Sequence, residues 1–247
     1  MDTSRISTIF FDVGNTLRIV LPDEDFKRHA RDEIMRLTET KETEEAFFAK
    51  LEERYEKYRK MTKKTLLDNS EMEMWMRWML PDYDPELIAK HAGRLTRLWR
   101  DHDGRRVPRP DADRTVLALY ERGYKLGIIA NTITETEIPD WMTHDGVAHC
   151  FDTVILSSKV RLRKPDPEIY HLACRCIRSK EEECAYIGDN PVRDVEGTRA
   201  AGFGMMIRID EPDTLNREKA TGKEFIPDAI IESLSELLDI FPGREEK

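Results

Sequence analysis

From residue 112 onward, short apolar runs alternate with stretches long enough for helices, and this rhythm most restricts the fold. "YKLGIIA", "FDTVILSS", "CAYIG" and "GMMIRI" read as strands. Between them stand helical segments: 112–122, closed by Gly123; "KPDPEIYHLACRCI", with Asp166 as N-cap and Pro167 at its first position; and "VRDVEGTRAAG". "PDAIIESLSELLDIF" adds a short strand and a helix, and the tail "PGREEK" reads as frayed. Strands joined by helices pair in parallel, because a parallel connection must cross the sheet and a tight turn cannot do so. The expected fold class is α/β, with a Rossmann-like parallel sheet.

A further strand, residues 7–11, stands far upstream. The pattern between 17 and 103 is helical. Phe47, Leu51, Tyr55 and Tyr58 fall on one helix face. Ser70 and Glu73 make a capping box, and Asp84-Pro85 opens a helix carrying Leu87, Ile88, Leu95, Leu98 and Trp99. "RRVPRPD" punctuates the end of this stretch. The chain therefore reads as a core, 1–17 and 106–247, interrupted after its first strand by an all-helical insert, 18–105. "EMEMWMRWML" within the insert is read as core packing.

Composition removes several function classes. A formal net charge of −9 argues against a general nucleic-acid binder. No apolar stretch approaches the roughly 20 residues that span a bilayer. "MDTSRISTIFFDV" lacks a signal-peptide core, so a cytoplasmic protein is expected. Cys150, Cys174, Cys176 and Cys184 lack zinc-like spacing with histidines and read as reduced thiols.

In open parallel sheets, ligands bind beyond the carboxyl ends of the strands. The first strand ends in Asp12, and "LGIIA" leads into Asn131 and Thr132. Lys164 follows the next strand. Asp189 ends "CAYIG", with Asp194 five residues on. Singly, each residue has a plain reading as a cap, a turn or a solvated charge. Together they put three carboxylates and a lysine in one crevice. Like charges so close repel, and a divalent cation would relieve them. Oxygen-only ligation by few carboxylates suits Mg²⁺.

The stretches "FFDVGNTL", "LGIIANT", "RKPDPEIY" and "YIGDNPVRDVEGTRAAGF", in that order, resemble the haloacid dehalogenase superfamily of aspartate-nucleophile hydrolases. The helical insert after the first stretch is similar to that family's cap domain. The resemblance implies a Mg²⁺-dependent hydrolase, phosphatase-type, acting on a small organic phosphate. Asp12 would be the nucleophile and Lys164 its neutralising partner. Asp12, Asp189, Asp194 and the Gly14 carbonyl would serve the metal. Thr16, Arg18, Asn131 and Thr132 are candidate substrate contacts.

Two departures bear on activity. Family phosphatases carry an acid–base Asp two residues after the nucleophile, where this chain has Gly14. A Ser or Thr normally follows the second strand, where this chain has Ala130. Gly14 removes a proton donor, makes room for a larger substrate or a cap residue, or meets a backbone need for an unusual dihedral. Two alternatives stay open: hydrolysis at carbon, as in 2-haloacid dehalogenation, and a catalytically weak protein that keeps an anion and metal pocket.

Overall fold

The computed structural model describes residues 2–211, 216 and 225–244. Strand β1 (Thr8–Phe11) is fully buried. It leads into β2 (Arg18–Leu21), which pairs antiparallel with β3 (Arg105–Pro108), Arg18 opposite Pro108. Helices fill the span between them: α1 (Glu24–Thr38), α2 (Glu44–Thr65), α3 (Glu71–Met74), continued by a π-helical turn at Trp75–Met79, and α4 (Pro85–Asp101). Their starts follow sequence rules. Asp23 and Asp84 accept backbone N–H bonds as N-caps, and Ser70 with Glu73 forms the expected capping box.

Beyond β3 the chain alternates as expected: α5 (Ala112–Glu121), β4 (Lys125–Ala130), α6 (Glu137–His144), β5 (Thr153–Leu156), α7 (Ser157–Val160), α8 (Pro167–Ile177), β6 (Cys184–Gly188), α9 (Gly197–Ala201), β7 (Met205–Ile209), β8 (Ala229–Ile231) and α10 (Leu237–Ile240). Six strands form one parallel sheet in the order β5-β4-β1-β6-β7-β8. In register, Phe11 lies beside Ile128 of β4 and Ile187 of β6, so these three strands end side by side.

Alternation along the strands divides the core. Ile9, Phe11, Leu126, Ile128 and Ile187 pack on one face; Phe10, Ile129, Tyr186 and Met206 pack on the other with Tyr170 and Phe203. A separate cluster fills the insert, with Ile34, Phe47, Phe48, Leu51, Trp75, Leu95 and Trp99 among its members. Trp75 keeps its buried N–H satisfied by donating to the Thr96 hydroxyl at 2.9 Å. Each such large side chain, taken from water, contributes about 1.5–3 kcal/mol. Met74, Trp75 and Met79 are buried in this cluster, as the packing reading of that stretch requires.

Three expectations need correction. The β2–β3 ribbon was read as helix and punctuation; its partners lie far apart in sequence, and Val20 and Leu21 are exposed, so no buried strand pattern announces it. The stretch after Asn131 reads as a loop, yet it contains α6; Pro139 sits in the first turn, where no backbone N–H is needed. The tail is not frayed as far as Arg244. The Pro242 carbonyl accepts from Tyr124, the Arg244 N–H donates to Arg122, and its guanidinium bonds the Ile6 carbonyl. Residues 245–247 lie outside the described residues.

Candidate active site

The ends of β1, β4 and β6 deliver Asp12, Asn131 and Asp189 to one crevice. Asp12 N–H donates to the Ile187 carbonyl at 2.9 Å, so the loop leaves β1 still tied to β6. Asp12 is 4% exposed, Lys164 1%, and Asp189 and Asp194 are completely buried. Lys164 Nζ lies 3.0 Å from Asp12 Oδ1 and 2.7 Å from Asp194 Oδ1. It also donates to the Tyr186 hydroxyl at 2.5 Å, and that hydroxyl donates to the Ile129 carbonyl. One ammonium thus meets three acceptors, matching its three donors.

Asp194 is held from the backbone, its Oδ2 accepting from Asn190 N–H at 2.9 Å. Its carboxylate packs so close to Gly188 that a Cβ there would come within 2.5 Å of Oδ2. The glycine before Asp189 is what lets Asp194 into the site. Burial pushes the Asp194 carboxyl up, with Lys164 acting against it. Burial also raises the Tyr170 and Tyr186 phenols, helped by the charges of Asp194 and Asp12, so both stay protonated.

One oxygen each from Asp12, Asp189 and Asp194 can be chosen so that all lie within 4.8 Å of one another. The sequence reading missed a second cation here. Arg193 Nη2 lies 4.0 Å from Asp12 Oδ2 and 3.8 Å from Asp189 Oδ1. Burial would lower its pKa, but Asp12, Asp194 and Asp189 more than compensate, and it is held above the ordinary arginine value. Arg193 lies in the π-helical turn Pro191–Glu196 that follows Asp189, and no spacing rule of an ordinary helix announces its direction.

A cavity of about 640 Å³ opens over this floor, lined by Asp12, Gly14, Asn131, Thr132, Lys164 and Arg193 among others. Asn131 does more than line it. Its amide accepts from Lys164 N–H and donates to the Lys164 carbonyl, both at 2.9 Å, fixing the backbone that aims Lys164. Thr132 lines the cavity, but its hydroxyl accepts from Thr134 N–H.

Two sequence-expected contacts lie elsewhere. Thr16 is fully buried; its N–H donates to the Val13 carbonyl at 3.2 Å and its carbonyl accepts from Arg109 at 2.9 Å. Arg18 is turned away by the ribbon: its guanidinium lies over the Trp141 ring, 3.6 Å from Asp145, and donates to the Arg106 carbonyl. Neither lines the cavity. Gly14 is also corrected in part. Its φ lies outside the left-handed region, and a Cβ there would meet nothing within 4 Å. The backbone does not require glycine; the left-handed residue is its neighbour Asn15, at φ 58°.

The family model of haloacid dehalogenase-like hydrolases matches residues 6–202. This chain belongs to that family. Glyceraldehyde 3-phosphate phosphatase of Methanopyrus kandleri is 27% identical over 245 residues, covering 95% of this chain and 97% of the relative. Pyrophosphatase PpaX of Listeria monocytogenes is 30% identical over 168 residues, covering 65% and 73%. In fold, the crystal structure of a 2-haloacid dehalogenase from Pseudomonas syringae aligns at a TM-score of 0.67 and 20% identity, covering 95% and 97%. As a haloacid dehalogenase-like hydrolase the chain is an enzyme, and its crevice at the strand ends is where such a sheet binds ligands. No helix among the described residues is long and apolar enough to cross a membrane.

Proposed function

We propose that this chain is a phosphatase acting on a small organic phosphate, with Asp12 as nucleophile. The observation that carries the reading is the meeting of Asp12, Lys164, Asp189 and Asp194 in one buried cluster under an open cavity. The Asp12 carboxylate attacks phosphorus as the bond to the leaving oxygen breaks, giving an aspartyl phosphate. Water then attacks that phosphorus and returns the carboxylate. Lys164, held by Asp194, Tyr186 and the Asn131 clamp, stays beside Asp12 and balances negative charge on the transferring group. Arg193 is close enough to do the same from the other side. The leaving oxygen takes its proton from solvent, because Gly14 offers none. The phosphatases among the relatives support the same reading.

The donor set fits Mg²⁺. Three carboxylates face two cations, Lys164 and Arg193, so the floor keeps excess negative charge, and its ligand atoms are all oxygen. Asp12, Asp189 and the Gly14 carbonyl would hold the ion, with Asp194 beside them. When bound, it supplies positive charge to the phosphoryl oxygens.

Residues 18–105 are read as the cap, with their own buried cluster, and the core as 1–17 and 106–247. The free thiols agree with a reducing cytoplasm. Hydrolysis at carbon is the second reading, favoured by Gly14, since a departing halide needs no acid; Asp189 and Asp194 speak for the metal-assisted phosphoryl reaction. Initial rates on p-nitrophenyl phosphate decide. Mg²⁺-dependent release, lost in Asp12→Asn, is expected; EDTA-insensitive chloride release from 2-chloropropionate without phosphatase activity would overturn it.

A further inference from the structure

The cavity over Asp12 is basic, in a chain of net charge −9. Asp12 is its only acidic lining residue among the described residues, and Lys164 and Arg193 answer to the carboxylates of the floor. The wall above adds Arg59, Lys63, Arg100, Arg106 and Arg163. Arg163 is matched by buried Asp68 at 3.1 Å. Arg100 and Arg106 share Glu137, at 2.8 and 3.5 Å; Arg106 also donates to the Arg100 carbonyl and lies 3.4 Å from Asp103, which is largely solvent-exposed. Arg59 has no carboxylate within ion-pair distance among the described residues; its guanidinium lies 5.9 Å from the Tyr55 ring centre. Burial and the adjacent Arg100 charge push the Arg106 pKa down to about 10, and Glu137 and Asp103 do not fully offset them.

The excess is confined in space. The cavity shares Arg59, Arg100 and Arg193 with another of about 780 Å³, where Glu52, Glu53, Glu56, Asp68 and Asp103 join the lining. A long polyanion would run into these acids; a small one stays inside the basic stretch.

We propose that the substrate carries a second anionic group besides its phosphate, a carboxylate or a second phosphoryl group, received by Arg59 of α2 and Arg106 of β3. This rests on the phosphatase reading for the phosphate end alone. With the phosphate at Asp12, the second anion meets guanidinium groups, which bind either chemistry in charge-assisted pairs.

The test is calorimetric binding to Asp12→Asn in Mg²⁺, which needs no turnover. The probes are ethyl phosphate, 2-phosphoglycolate (the same skeleton with a carboxylate) and pyrophosphate. At least one doubly anionic probe should bind about 10- to 100-fold tighter than ethyl phosphate, and the tighter one names the second group. Adding Arg59→Gln, a change at an exposed side chain, should remove about tenfold or more of that preference; Arg106→Lys should keep part of it. Equal affinity for all three probes, or a preference untouched by both changes, would overturn the proposal. Failure of the wild-type chain to release phosphate from any substrate would end the phosphatase reading while leaving this comparison intact.

Discussion

The floor of the cavity and its wall are both charged, but in opposite ways. On the floor, Asp12, Asp189 and Asp194 are almost fully buried and Lys164 is bonded to its limit. Asp12 and Asp189 are set by strand ends, Lys164 by the loop between α7 and α8, and Asp194 by the π-helical turn at Pro191–Glu196. On the wall, Arg59, Arg100 and Arg106 come from α2, α4 and β3 and partly face solvent, with Glu137 and Asp103 paired to the last two. The floor is buried and carries excess negative charge; the wall is more exposed and mostly basic. In the proposed reading, the strand ends carry the chemistry and the segments inserted after β1 choose what it acts on.

The largest test of this division is on the floor. Asp12→Asn keeps the shape and removes the nucleophile, and kcat for p-nitrophenyl phosphate should fall by at least ~10³-fold; a smaller loss in a folded protein would move the nucleophile elsewhere. Next comes Gly14→Asp. The open space over Gly14 admits the side chain without strain, and a restored acid–base should raise kcat by about 10²-fold. An unchanged rate, with Mg²⁺ binding intact, would remove the missing acid as the limiting defect. Tyr186→Phe deletes one acceptor for Lys164 Nζ. About tenfold should be lost from kcat with KM little changed; a fall matched only by a lower melting temperature would reduce Tyr186 to a structural role.

The smallest effect lies outside both regions, where Glu73 of α3 pairs with Arg161 behind β5. The ion pair and hydrogen bond from Arg161 hold the Glu73 carboxyl down to about 2, against an ordinary 4.5. A depressed native pKa means stability present above about pH 4.5 and lost as pH falls toward 2. Glu73→Gln should therefore cost roughly 0.5–1 kcal/mol at pH 7, with the difference shrinking below pH 4.5 and catalysis unaffected. A constant difference across that range in denaturant titrations would refute the pairing.

The same contrast explains what could be read from sequence. Asp12 and Asp189 close apolar runs, and a parallel sheet converts that one-dimensional mark into a shared place. Lys164 and Asp194 follow from the same connections. Arg193 escaped because its direction depends on the π-helical turn at Pro191–Glu196, which departs from the ordinary helical phase. Arg59 was invisible for another reason. It sits among many lysines, arginines and glutamates on α2, where a solvated face accounts for every one of them. Only its place on the lining of the cavity over Asp12 separates it from Lys57 or Lys60. Arg18 went wrong through the unseen ribbon, whose pairing with β3 turns the guanidinium to Trp141.

The central claim is a covalent step at Asp12 in a site that lacks the acid–base to finish it quickly. Acid quench during turnover of p-nitrophenyl phosphate, borohydride reduction and mass spectrometry of the peptide containing Asp12 test it directly. Conversion of Asp12 to homoserine, dependent on substrate and absent in Asp12→Asn, is the predicted result. Sustained phosphate release with Asp12 unmodified, and with Asp12→Asn still active, would contradict it.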